Sequence, residues 1–87
     1  MFVVLVYDVK QERVNKVLKI CRKYLTWVQN SVFEGEITPA KLEILKDELQ
    51  TVIDPEYDSV VIYRFKLKPL ERENLGVRPP SAEDIFF

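Results

Sequence analysis

The chain has 87 residues, 47% hydrophobic and 31% charged, with a net charge of −1, one cysteine and no histidine. That length holds a single domain whose core alone is marginal, so pairing with a second chain is expected, and the composition excludes a disordered chain. The lone Cys21 excludes an internal disulfide and a cysteine-cluster metal site, and the missing histidine removes the usual general base.

Phe2 to Asp8 reads as a strand. Side chains alternate at period two, so Val3, Leu5 and Tyr7 share one face while Phe2, Val4, Val6 and Asp8 share the other. Both faces are apolar until Asp8, and one layer of helices covers only one of them. Asp8 has two readings: a carboxylate placed by a rigid element for metal or catalytic work, or the N-cap of the helix that follows. Val14, Val17, Leu18, Cys21 and Leu25 carry the spacing of an amphipathic helix from about Gln11 to Tyr24, with Lys16, Lys19 and Lys23 outward and Cys21 a small core residue. Thr26–Gln29 and Val32–Ile37 are rich in β-branched and aromatic residues, which predicts two short strands, or one kinked at Asn30-Ser31.

Thr38-Pro39 predicts a helix start, with Leu42, Leu45, Leu49 and Val52 as its apolar stripe and Asp54-Pro55 as its stop. The acidic run Asp54–Asp58 lacks the glycine and terminal glutamate of a calcium loop and reads as a solvated turn. Ser59 to Leu67 is the last long strand: Val61, Tyr63, Phe65 and Leu67 line one face, and Val60, Ile62, Arg64 and Lys66 the other. Residues 68–87 read as a polar linker, Pro69 to Pro80, and a terminal strand, Asp84 to Phe87, that adds to a partner subunit.

The order strand, helix, two strands, helix, strand over residues 1–67 predicts an α+β fold, a ferredoxin-like βαββαβ sandwich with helices on one face and an extra C-terminal strand. Its bare sheet face predicts a homodimer. No run reaches membrane-spanning length, and the opening apolar run is short, lacks a basic leader and ends in Asp8; the expected location is the cytoplasm. Charge is asymmetric. Lys10, Arg13, Lys16, Lys19, Arg22 and Lys23 face only Asp8 and Glu12 up to Phe33, and acids outnumber bases afterwards. A polyanion held on the basic surface fits that pattern, as does an ordinary solvated helix face.

Tyr7-Asp8 closing the first strand, the run Val28-Gln29-Asn30-Ser31-Val32-Phe33, then Glu34-Gly35, and Asp58-Ser59-Val60-Val61-Ile62-Tyr63 resemble the CRISPR-associated Cas-two (Cas2) family from Met1 to about Leu67. The resemblance implies a ferredoxin-like homodimer acting in spacer acquisition with the Cas-one integrase. It also implies a magnesium-dependent endonuclease on single-stranded RNA or duplex DNA. On this sequence the family's metal-binding, catalytic aspartate falls on Asp8, flanked by Tyr7 and by the motif aromatic Phe33. Where many relatives carry a basic residue before the hydrophobic-Gln pair, this chain has Trp27, and no phosphate-binding role is carried over to it.

The implied site joins Asp8 from two chains across the dimer axis. Close carboxylates repel unless a cation neutralises them, and Mg2+ accepts one or two carboxylates while keeping several waters. The competing class is a non-catalytic scaffold dimer holding duplex DNA by its phosphates, with Arg13, Lys16, Lys19, Arg22, Lys23, Arg64 and Lys66 as candidate contacts. A related-fold ribonuclease toxin would share the sheet and the dimer. An RNA-recognition module would carry glycines around its strand aromatics, which Val60–Phe65 lacks.

Overall fold

Strand β1 (Phe2–Asp8) takes the centre of the sheet, because apolar side chains on both faces leave neither side fit for water. The computed structural model describes residues 1–68, 73 and 75. β1 lies between β3 (Val32–Glu36) and β4 (Ser59–Phe65), antiparallel to both, with β2 (Thr26–Gln29) beyond β3. Helices α1 (Gln11–Arg22) and α2 (Pro39–Gln50) complete the βαββαβ order, and the sheet order β2-β3-β1-β4 is the ferredoxin-like arrangement. The expected linker and terminal strand lie outside the described residues, Glu73 and Leu75 apart.

The two helices pack on the face of Val3, Leu5 and Tyr7. Val17 and Cys21 from α1, Leu42, Leu45 and Leu49 from α2 and Phe33 from β3 close the core around them. Burying each such side chain contributes about 1.5–3 kcal/mol for the larger ones. Thr38 caps α2 as its sequence predicts, its hydroxyl accepting from the Lys41 amide at 3.2 Å with Pro39 in the first helical turn. Between β2 and β3, Asn30 takes φ 43°, a left-handed conformation that asparagine tolerates, so the hairpin separates two strands instead of kinking one.

Several ends fall short of the sequence expectation, each for a local reason. β4 stops at Phe65 because its partner begins at Phe2, which pairs with it; the ladder has nothing beyond. β3 stops at Glu36 on the same account, opposite Phe2. α1 ends at Arg22, and the amides of Lys23 and Tyr24 close tighter turns onto Ile20 and Cys21. α2 ends at Gln50, well before Asp54-Pro55, where the Thr51 hydroxyl donates to the Glu48 carbonyl and the β-branched run Thr51-Val52-Ile53 leaves the helix.

One expectation is overturned. The Asp54–Asp58 turn is not simply solvated: the Asp58 side chain is fully buried. It accepts from the amides of Lys10 at 2.9 Å and Asp54 at 2.8 Å and forms a two-point ion pair with Arg13. The sequence could not show this, because two of the three partners, Lys10 and Arg13, are 48 and 45 positions away.

Among the described residues no helix covers the other sheet face. Phe2, Val4 and Val6 register there with Phe65, Tyr63 and Val61, of which Val61 is 45% exposed, Tyr63 55% and Phe65 40%. Val60 and Ile62 turn to the helices instead. The bare apolar face that the strand pattern predicts is present.

Candidate functional site

Tyr7 pairs with Val60 and Asp8 with Ser59 on one side, and on the other the Tyr7 amide donates to the Ser31 carbonyl at 3.0 Å. Asp8 therefore leaves a strand that is held nearly to its last residue. Its side chain is exposed and makes no hydrogen bond or ion pair among the described residues. The cap reading drops out, since Lys10 occupies the N-cap of α1 and no side chain caps that helix. Asp8 shares its face with Phe2, Val4 and Val6. It also borders an open groove of ≈ 460 Å³ between α1 and the β2–β3 hairpin, to which Arg22 and Trp27 contribute.

Tyr7, next to Asp8 in the chain, is neutral. Burial pushes the Tyr7 phenol above its ordinary value and Cys21 adds to that, while Ser31 and the Arg22 charge pull the other way. Tyr7 is thus a protonated phenol at neutral pH and no general base. Burial pushes the Cys21 thiol up to about 12, which leaves it an inert core residue. Among the described residues no three His, Cys, Asp or Glu side chains gather closely enough to hold a metal ion. A metal at Asp8 would draw its other ligands from water, substrate or groups beyond the described residues.

Phe33 is fully buried on the helix face, in register with Leu5 and Trp27, and its ring centroid lies 6.3 Å from that of Tyr7. It supports the end of β1 from beneath and offers no surface to a ligand. The candidate cations divide three ways. Lys16, Lys19 and Arg22 are exposed on α1 and free of ion pairs among the described residues. Lys23 is paired with Glu48, whose other oxygen accepts from the Tyr24 hydroxyl; the Lys23 bond, then the Tyr24 bond, hold that carboxyl below its ordinary value. Arg13 has its guanidinium paired with Asp58 and Glu12.

Arg64 and Lys66 are exposed but distant. Arg64 registers with Val3, near the end of β1 opposite Asp8, about 17 Å along the strand at 3.4 Å per residue. Sequence reasoning also missed Asp58, which fixes the segment following Asp8 through the Lys10 amide. The Arg13 guanidinium holds the Asp58 carboxyl well below the usual carboxylate range, and the two amide bonds add to this against the cost of burial.

Residues 1–72 match the family model described as CRISPR associated protein Cas2. The chain belongs to the Cas2 family. Similar Cas2 proteins include the "CRISPR-associated endoribonuclease Cas2 3" of Thermodesulfovibrio yellowstonii, 60% identical with 98% of each chain covered. The "CRISPR-associated endoribonuclease Cas2" of Thermotoga maritima is 54% identical over 100% of this chain and 99% of that one. Among solved structures, Streptococcus pyogenes Cas2 superposes with a TM-score of 0.69 at 39% identity, covering 75% of this chain and 86% of that one. The Cas2 match takes in every described strand and helix, and with them both Asp8 and the bare sheet face. Among the described residues no helix of this Cas2 chain is long and apolar enough to cross a membrane.

Proposed function

We propose that this Cas2 chain works in the cytoplasm as a homodimer in the adaptation step of CRISPR defence, beside the Cas-one integrase, as a magnesium-dependent endonuclease on RNA or DNA phosphodiesters. The observation that supports it is Asp8: an exposed carboxylate with no partner among the described residues, held at the end of the central strand, on the same face as the bare Val61–Phe65 surface. Two such faces packed about a two-fold axis cover Val61, Tyr63 and Phe65 and bring the two Asp8 side chains toward one another. The names of the relatives favour the endoribonuclease reading.

The donor set fits Mg2+ only as half of a shared site, with Asp8 and its copy as the protein ligands and water or phosphate oxygens elsewhere. When bound, the ion supplies Lewis acidity at the phosphodiester and lowers the pKa of a coordinated water. Asp8 and its copy would hold the ion, and an Asp8 carboxylate oxygen not engaged in holding it would be placed to accept a proton. Lys16, Lys19 and Arg22 hold the phosphates of the flanking strand. A second reading, a scaffold dimer that positions duplex DNA for the integrase, draws on those same three unpaired cations and on the small donor count.

Asp8→Asn separates the readings. Loss of magnesium-dependent cleavage of single-stranded RNA and duplex DNA, with spacer integration retained, makes the scaffold the physiological role. Loss of both makes the metal site a requirement. Cleavage by Asp8→Asn equal to that of the unaltered protein refutes the nuclease assignment to this residue.

A further inference from the structure

The groove that ends at Asp8 has a construction that the carboxylate alone does not explain. One wall is a single stripe of α1, Gln11, Val14, Leu18 and Arg22, spaced at three and four residues and running about 16 Å at 1.5 Å per residue. The other wall is the β2–β3 hairpin, from which Trp27 projects. The indole is half-buried and held: its Nε1–H donates to the Asn30 carbonyl at 2.9 Å, and β2–β3 pairing sets Trp27 against Phe33. Asn30 can present that carbonyl because of its left-handed backbone. The result is a flat aromatic surface fixed on a rigid element, apolar Val14 and Leu18 across from it, a cation at one end and an acid at the other.

We propose that this groove is a subsite for single-stranded nucleic acid, in which an unstacked base lies against Trp27 and the adjoining phosphate meets Arg22. Stacking on aromatic side chains beside a basic track is how single strands are held without sequence preference, since every base has a π-face. One phosphate contact is on hand: Arg22 lines the groove and is not ion-paired among the described residues, while Lys16 and Lys19 lie elsewhere on α1, outside the groove lining. Duplex DNA keeps its bases stacked on one another and cannot offer a face to the indole. The groove thereby gives this chain a means of distinguishing an open strand from a closed one. The inference rests on the reading that the chain handles nucleic acid, and not on cleavage at Asp8.

Trp27 is the one tryptophan in the sequence, so its fluorescence reports the groove directly. Labelled oligouridylate and oligoadenylate, their single-stranded DNA counterparts and a duplex of matched length are titrated in EDTA at low salt, following indole emission and label anisotropy together. Single strands quench the indole in step with the anisotropy, and the duplex leaves it unchanged. Trp27→Ala weakens single-strand binding roughly 5- to 150-fold, the range of one base–aromatic stack, while Trp27→Phe retains most of it. Arg22→Ala lowers the slope of log affinity against log salt by about 0.7, the single-strand value for one phosphate.

Anisotropy that rises on single strands with no change in indole emission overturns the proposal, as does equal quenching by the duplex or an absence of single-strand binding. Quenching by RNA but not single-stranded DNA keeps the subsite and adds a requirement for the 2′-hydroxyl. The titration contains no divalent ion and reads the groove alone, so cleavage is assayed separately in Mg2+: quenching in EDTA without cleavage in Mg2+ leaves the groove in place while the nuclease reading fails. Cleavage without quenching does the reverse.

Discussion

Phe33 sits in the motif that marks the family, and the structure makes it a core residue, so Phe33→Ala tests which property the motif protects. The side chain is fully buried, pairs in register with Leu5 and Trp27 and lies 6.3 Å from the Tyr7 ring. Removing a buried phenylalanine costs about 3–5 kcal/mol in transfer and cavity terms, which already include most of the lost aromatic contact. A chain of this length has roughly 4–13 kcal/mol of total stability, so the change removes a large share of it. At about 4–8 °C per kcal/mol, the melting temperature falls by at least about 12 °C, measured by circular dichroism at fixed protein concentration. Phe33→Leu keeps an apolar side chain and costs only about 1–2 kcal/mol. In the folded fraction, both variants retain cleavage in proportion to how well β1 is held. Phe33→Ala melting within a few degrees of the unaltered protein while losing all cleavage would refute the argument and move Phe33 to the reacting surface.

The Asp58 carboxyl is held below its ordinary value in the folded protein, so its contribution is complete above about pH 4, the unfolded value, and is lost as the pH falls toward the folded one. Asp58→Asn therefore flattens the decline of urea-midpoint stability between about pH 5 and pH 2; Glu48, depressed by Lys23 and Tyr24, leaves a residual slope of the same sign. An unchanged acid-side slope would show that the Arg13 pair is not retained in solution. On the bare face, Val61→Glu or Tyr63→Glu converts the proposed dimer to monomer in sedimentation at micromolar concentration without lowering monomer stability by more than about 0.5 kcal/mol, as these positions are exposed. A dimer that survives both changes places its interface elsewhere.

Periodicity and end signals carried most of the architecture. Alternation in Phe2–Asp8 with apolar residues on both faces required a central strand and a second cover, and Thr38-Pro39 started α2 where a hydroxyl and a missing N–H are both suited. These features are local: each depends on residues a few positions apart. Asp8 stood out for the same reason, as the first charge on an otherwise apolar strand, but whether it capped α1 or stood free was a matter of which residue the chain placed at Ncap.

Long-range placement was not readable. Arg13 and Lys16 are alike in sequence, three positions apart on one helix, yet Asp58 from beyond α2 binds the first and leaves the second exposed. The acidic turn Asp54–Asp58 lacked any local sign that one of its carboxylates would be buried, since the Arg13 guanidinium and the Lys10 amide that join the local Asp54 amide on it come from far away in the sequence. Phe33 and Asp8 belong to the same set of motifs, and only the register of β3 on β1 put one in the core and the other at the rim. The sequence by itself determined which segments are strands and helices and which faces are apolar, because those follow from spacing along the chain. The tertiary structure alone decided which charges are spent on one another and which side chains share the groove at Asp8, because such partnerships form between segments that are close only once the chain has folded.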